Sequence, residues 1–242
     1  MRQELRRRKI LAGVGSVAVA GVIAGCAGEE NGEETEPTPT ETPTETPTET
    51  PTETPTPEPG IDPAELDGYV RPEDDPETVP ENLDCDIGGF ERRSGWIDED
   101  IVEWGEATND DGSPIFGLRV DTLTVERSKS VTITLTNISG EEQTTANAYK
   151  ANLDVYTESG WQDPRGWEDG VPKPITDDLW TFEPGGRYEW NIEMAEEGIV
   201  EADYHDEDDG LVTCPGLPAG RYRFATSAPE QGDVAIAFDL IE

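Results

Sequence analysis

From Leu83 to the end of the chain the apolar residues fall in short runs with a period of two, and no stretch there holds a convincing helical spacing. A period of two belongs to strands, whose side chains point alternately to two faces. In Val131-Thr132-Ile133-Thr134-Leu135-Thr136 the apolar residues alternate strictly with threonine. Ala151, Leu153 and Val155 alternate with Asn152, Asp154 and Tyr156. Tyr188, Trp190, Ile192 and Met194 alternate with Arg187, Glu189, Asn191 and Glu193, and Val234, Ile236, Phe238 and Leu240 share one face of the last run. Each run is expected to have one buried and one wet face, as antiparallel sheets around a common core require. Between Val120 and Leu123 the apolar phase slips, which predicts a bulge or a switch between sheets. With Gly, Pro and Asn turns between the runs, residues 83–242 read as an all-β, antiparallel β-sandwich of about seven strands.

One local motif sharpens that reading. Leu217-Pro218-Ala219-Gly220-Arg221-Tyr222 resembles the tyrosine corner, in which a Tyr at the start of a strand bonds back to upstream backbone. Val131–Ser139, Asn152–Trp161, Phe182-Glu183-Pro184-Gly185-Gly186 and Leu217–Phe224 together resemble bacterial and archaeal Ig-like domains. The resemblance covers roughly residues 115–242 and implies an Ig-like fold without any catalytic residue.

The first 82 residues have another texture. Arg6-Arg7-Arg8-Lys9 precede an apolar segment of about 15 residues, too short for a membrane span and typical of an export signal over residues 1–25. Arg7-Arg8 followed by Leu11 resembles a twin-arginine export motif, and Ile23-Ala24-Gly25-Cys26 resembles a lipobox. The latter implies that Cys26 becomes the lipid-bearing first residue. Residues 26–60 are low in complexity, with Glu41-Thr42-Pro43-Thr44 repeating through Thr56. Proline at every fourth position forbids helix and sheet and favours an extended polyproline stalk, about 3.1 Å per residue and on the order of 100 Å overall. Residues 61–82 remain acidic and proline-rich and read as an irregular linker.

Fifty-five Asp and Glu stand against 17 Lys and Arg. Removing residues 1–25 would leave 54 acids and 12 bases. Such a surface repels nucleic acid and anionic membrane. Its self-repulsion is screened only in concentrated salt, where the Debye length falls to about 3 Å at 1 M. With the signal and stalk, this acidity resembles that of haloarchaeal, twin-arginine-exported surface lipoproteins. The resemblance places the chain on the outer face of the cell membrane, held by Cys26.

Cysteine usage fits export. With Cys26 assigned to lipid, Cys85 and Cys214 remain, and a pair in an exported domain reads as a disulfide. The rival is two free thiols or a thiol–metal site.

Catalytic chemistry has little to work with. His205 is the single histidine, which rules out a multi-His metal site, including the two-His copper centre of blue-copper proteins. No metalloprotease, nucleophile-elbow, P-loop or dinucleotide motif occurs. No cofactor is expected beyond candidate Ca²⁺ at Asp206, Asp208 and Asp209, whose order departs from an EF-hand. Asn109-Asp110-Asp111-Gly112 is a second acidic turn that lacks a first ligand. Trp161 and Trp167 flank a hairpin-like loop, either as core cover or as a platform for a sugar. Asn137-Ile138-Ser139 is the only N-glycosylation sequon, making Asn137 a candidate acceptor. The expectation is therefore a non-enzymatic Ig-like module for interaction or envelope organisation, with an envelope protein or glycan as partner. The alternatives are a carbohydrate- or small-ligand-binding domain and, third, a protease-inhibitor-like or hydrolytic one.

Overall fold

The computed structural model describes residues 59–93, 95, 97, 101–174, 176–202, 210–228 and 232–242. The export signal with Arg7 and Arg8, Cys26, the stalk up to residue 58, Trp96, His205, Asp206, Asp208 and Asp209 lie outside the described residues. The strands, in chain order, are β1 (Glu91–Arg92), β2 (Glu103–Trp104), β3 (Glu106–Thr108), β4 (Pro114–Val120), β5 (Thr124–Glu126), β6 (Ser130–Asn137), β7 (Gln143–Ala146) and β8 (Ala151–Thr157). Then follow β9 (Gly160–Gln162), β10 (Arg165–Trp167), β11 (Leu179–Phe182), β12 (Arg187–Glu193), β13 (Leu211–Thr213), β14 (Gly220–Ala228) and β15 (Gly232–Ile241).

Two sheets face each other. The first runs β12-β6-β4-β3, and the second runs β2-β15-β14-β8-β9 with β5 also on β15. The central pairings are antiparallel; β2 and β5 join β15 in parallel. The successive strands β4, β6 and β12 in one sheet, with β8, β14 and β15 in the other, give the strand distribution of an Ig-like sandwich. Strands number more than seven because the short β2, β3, β5 and β9 join the edges of the two main sheets, β1, β10 and β13 form a small separate sheet and β7 pairs with β11. These additions are two to four residues long and lack the length to show alternation.

The core follows from the period of two. Val131, Ile133 and Leu135 of β6 and Trp190 and Ile192 of β12 point inward from the first sheet. Leu153, Val155, Tyr222, Phe224, Val234, Ile236, Phe238 and Leu240 meet them from the second. Trp190 and Phe224 touch across the layer with centroids 4.8 Å apart. Each such side chain is worth about 1.5–3 kcal/mol when fully buried. The phase slip after Val120 is a sheet switch: β4 belongs to the first sheet and β5 to the second. Tyr222 Oη donates to the carbonyl of Pro218 at 2.8 Å, closing the tyrosine corner.

Three features depart from the sequence reading. Asn152 and Asp154, expected on a wet face of β8, are buried. A helix, α1 (Glu196–Glu201), follows β12; its six residues are too few to register as a helical period, and its Ala195 cap supplies no side-chain hydrogen bond. Residues 59–82, apart from the short 3-10 turn Pro63–Glu65, are irregular yet lie on the sandwich through paired backbone. Ile61 N–H donates to Ile138 O at 2.8 Å, Tyr69 exchanges hydrogen bonds with Val120, and Ala237 N–H donates to Val70 O at 2.8 Å.

Cys85 and Cys214 form a disulfide, with Cα atoms 5.4 Å apart and a separation of 129 in sequence. It ties the segment leading to β1 to the turn after β13.

Candidate ligand-binding cleft

On the outer face of the second sheet Ala237 of β15 gives the cleft a floor that carries only a methyl group. Larger groups from elsewhere stand around that shallow floor. Trp104 is placed by the parallel pairing of β2 with β15, opposite Ala235. Tyr156 and Trp161 are cross-strand partners in the β8–β9 hairpin. Gly160, at φ +101°, makes its tight turn, and the Thr157 hydroxyl donates to Gly160 O at 2.7 Å. The Trp161 ring centroid lies 5.1 Å from that of Tyr156 and 6.4 Å from that of Trp104, tilted by 56° and 48°.

These rings and the segment Val70–Pro76 bound an open cleft of about 780 Å³. The Arg71 guanidinium lies 5.0 Å from the Trp104 ring centroid. Arg221 reaches the cleft while gripping Asp239 with two hydrogen bonds of 2.8 and 3.1 Å. Glu73, Asp74 and Asp75 are exposed along its rim. Tyr156 is 39% exposed and the two tryptophans are half-buried.

Beneath Trp161 lies a buried ionic cluster. The Arg223 guanidinium sits 4.6 Å from the Trp161 ring centroid and donates to Asp154 Oδ2 from Nε at 3.2 Å and from Nη2 at 2.7 Å. Asp163 accepts from the Arg165 backbone N–H and Nε, both at 2.9 Å, and from Arg165 Nη2 at 2.8 Å. Arg93 Nη1 approaches Asp163 at 3.9 Å. All five are buried. Burial, and then the charge of Asp163, push the Asp154 carboxyl up to about 6 against the opposing pull of Arg223. Removing one member of a buried pair costs about 3–5 kcal/mol, so loss of Asp154 or Arg223 alone would disturb the support of Trp161.

Trp161 lines the cleft, but Trp167 on β10 is only 5% exposed, packed into the small sheet. The two do not make a shared platform. Asn137 is fully buried, and its Nδ2 donates to Glu141 O and Phe182 O at 2.8 Å each. Its amide is committed to holding the end of β6, so it is not an exposed glycan acceptor. In the Asn109–Ser113 turn, the Ser113 side chain and then its backbone N–H, which donates to Asp111 Oδ1 at 2.9 Å, lower the Asp111 pKa. Among the described residues no group of three or more His, Cys, Asp or Glu is placed to hold a metal ion. Sequence reasoning missed Trp104, Tyr156, Arg71 and Arg221. The detectable signal was Tyr156, an aromatic at the wet position of an alternating strand.

No family model matches the chain, and no curated protein matches it. Solved structures with a detectable likeness include a beta-glucosidase from Listeria innocua in complex with gluconolactone, at 13% identity and a TM-score of 0.28. The same enzyme in complex with isofagomine gives 14% identity and a TM-score of 0.26. The first match covers 54% of this chain and 17% of the enzyme, and at that level it carries no argument about activity.

Proposed function

We propose that this chain is an exported, lipid-anchored Ig-like module that binds a component of the cell envelope through the Trp104–Tyr156–Trp161 cleft, without transforming it. The address rests on the sequence: a basic, apolar export signal, the Cys26 lipobox and a proline-paced stalk. The acidic excess suits work in brine, where it is screened. Binding rests on one observation, the convergence of three aromatic rings and two arginines, from separated parts of the chain, on one open cleft. Aromatic and arginine side chains carry most binding energy at protein surfaces. Trp161 stands against the buried Arg223–Asp154 pair, which lowers the cost of ordering it on binding.

A benzophenone amino acid in place of Tyr156, in the full chain in its own cells, tests this. It is expected to capture an envelope component under light. The same group in place of Leu179, which is 57% exposed on β11, is expected to capture nothing. Equal capture from both positions, or none from position 156, contradicts the proposal.

A further inference from the structure

We infer that the ligand of this cleft is a neutral oligosaccharide; the inference rests on the cleft being the binding face. Three observations narrow the chemistry. First, arginines already lie against two of the rings. Arg223 lies against Trp161 and Arg71 against Trp104, at 4.6 and 5.0 Å from the ring centroids. An incoming ammonium group would meet the repulsion of these two guanidinium groups. Second, the charges are mixed. Arg71 and Arg221 line the cleft together with Glu73, Asp74 and Asp75, and Arg221 is already paired with Asp239. An anion meets more negative than positive groups here, and the rest of the acidic surface adds to that repulsion. Third, the rings are tilted by 48° and 56° to one another. A flat heteroaromatic ligand cannot stack on more than one of them. A chain of puckered sugar rings, whose C–H faces turn from one residue to the next, can rest on successive rings.

Sugar hydroxyls both donate and accept. They can give hydrogen bonds to the carboxylates of Glu73, Asp74 and Asp75 and take them from Arg71 and Arg221. Contacts between a neutral ligand and fixed donors and acceptors do not rely on long-range attraction, so they survive in concentrated salt. The cleft, at about 780 Å³, has room for a short oligosaccharide.

The test is titration of the full chain, in non-ionic detergent and molar KCl, followed by tryptophan fluorescence. The probes are neutral gluco-, manno-, galacto- and N-acetylglucosamine oligosaccharides, tetramethylammonium chloride and a sulfated oligosaccharide. At least one neutral oligosaccharide is expected to bind. Tyr156→Ala is expected to weaken it tenfold or more, Tyr156→Phe to preserve it, and Leu179→Ala to leave it unchanged. Response to tetramethylammonium or the sulfated probe alone overturns the inference, as does saccharide binding indifferent to Tyr156→Ala. If no saccharide binds while the benzophenone at position 156 still captures a protein, the binding face stands and the saccharide falls. If both fail, both fall.

Discussion

Asp154 shows how a single residue can be legible in type and misread in place. Its position in β8 is a wet one by alternation, yet the structure buries it under Trp161 against Arg223. Alternation reports which face of a strand a residue occupies, and it cannot report that a second layer of chain covers that face. Asn137 was misread in the same way: the sequon is local, whereas the carbonyl of Phe182 that claims its amide is 45 positions away. Asp154 also gives a pH dependence. Its carboxyl is raised from 3.8 to about 6, so the folded chain binds a proton in that window more readily than the unfolded chain. The corresponding stability is fully present below about pH 4 and is lost as pH rises through about 6. Between these limits the folded protein is expected to lose on the order of 3 kcal/mol from this group. Asp154→Asn removes the dependence. Denaturant unfolding at several pH values and constant molar salt should show the native chain declining relative to the variant across the window. Parallel curves would rule this out.

At the scale of elements, the long strands were readable because each carries enough alternating positions to fix its faces. The edge of β15 was not. Its unpaired backbone would be an aggregation template if left open. Instead, Gly105 N–H donates to Ala235 O, Ala237 N–H to Val70 O, Asp239 N–H to Leu123 O and Arg127 N–H to Ile241 O. Pieces from residues 70, 105 and 123–127 thus close one edge in turn, each too short to have a pattern of its own. The segment around Tyr69 and Val70 also forms a wall of the cleft, so its order and the site are linked. Hydrogen exchange checks this directly. The amides of Tyr69, Val120 and Ala237 are expected to exchange about as slowly as those of β6. Exchange as fast as in the exposed Asp110–Gly112 turn would mean that the segment does not hold this edge.

Across the whole molecule, the sandwich and its disulfide were visible in the sequence, and the cleft was not. The Cys85–Cys214 bond spans 129 positions. Loop-closure entropy assigns such a bond roughly 5 kcal/mol, a sizeable share of the stability of one domain. It could be paired from sequence because the lipobox reading assigned Cys26 to lipid and left two cysteines. The cleft draws on residues 71, 104, 156, 161 and 221, which only the completed fold assembles, and of these Trp161 alone stood out beforehand. The central claim is that this cleft is where the molecule meets its envelope. Hydroxyl-radical footprinting of the full chain, on native membranes and again after purification in detergent at equal salt, compares the two states residue by residue. Trp104, Tyr156 and Trp161 are predicted to be protected on the membranes while Leu179 is oxidised equally in both. Equal oxidation of the three cleft residues in the two states would contradict the account.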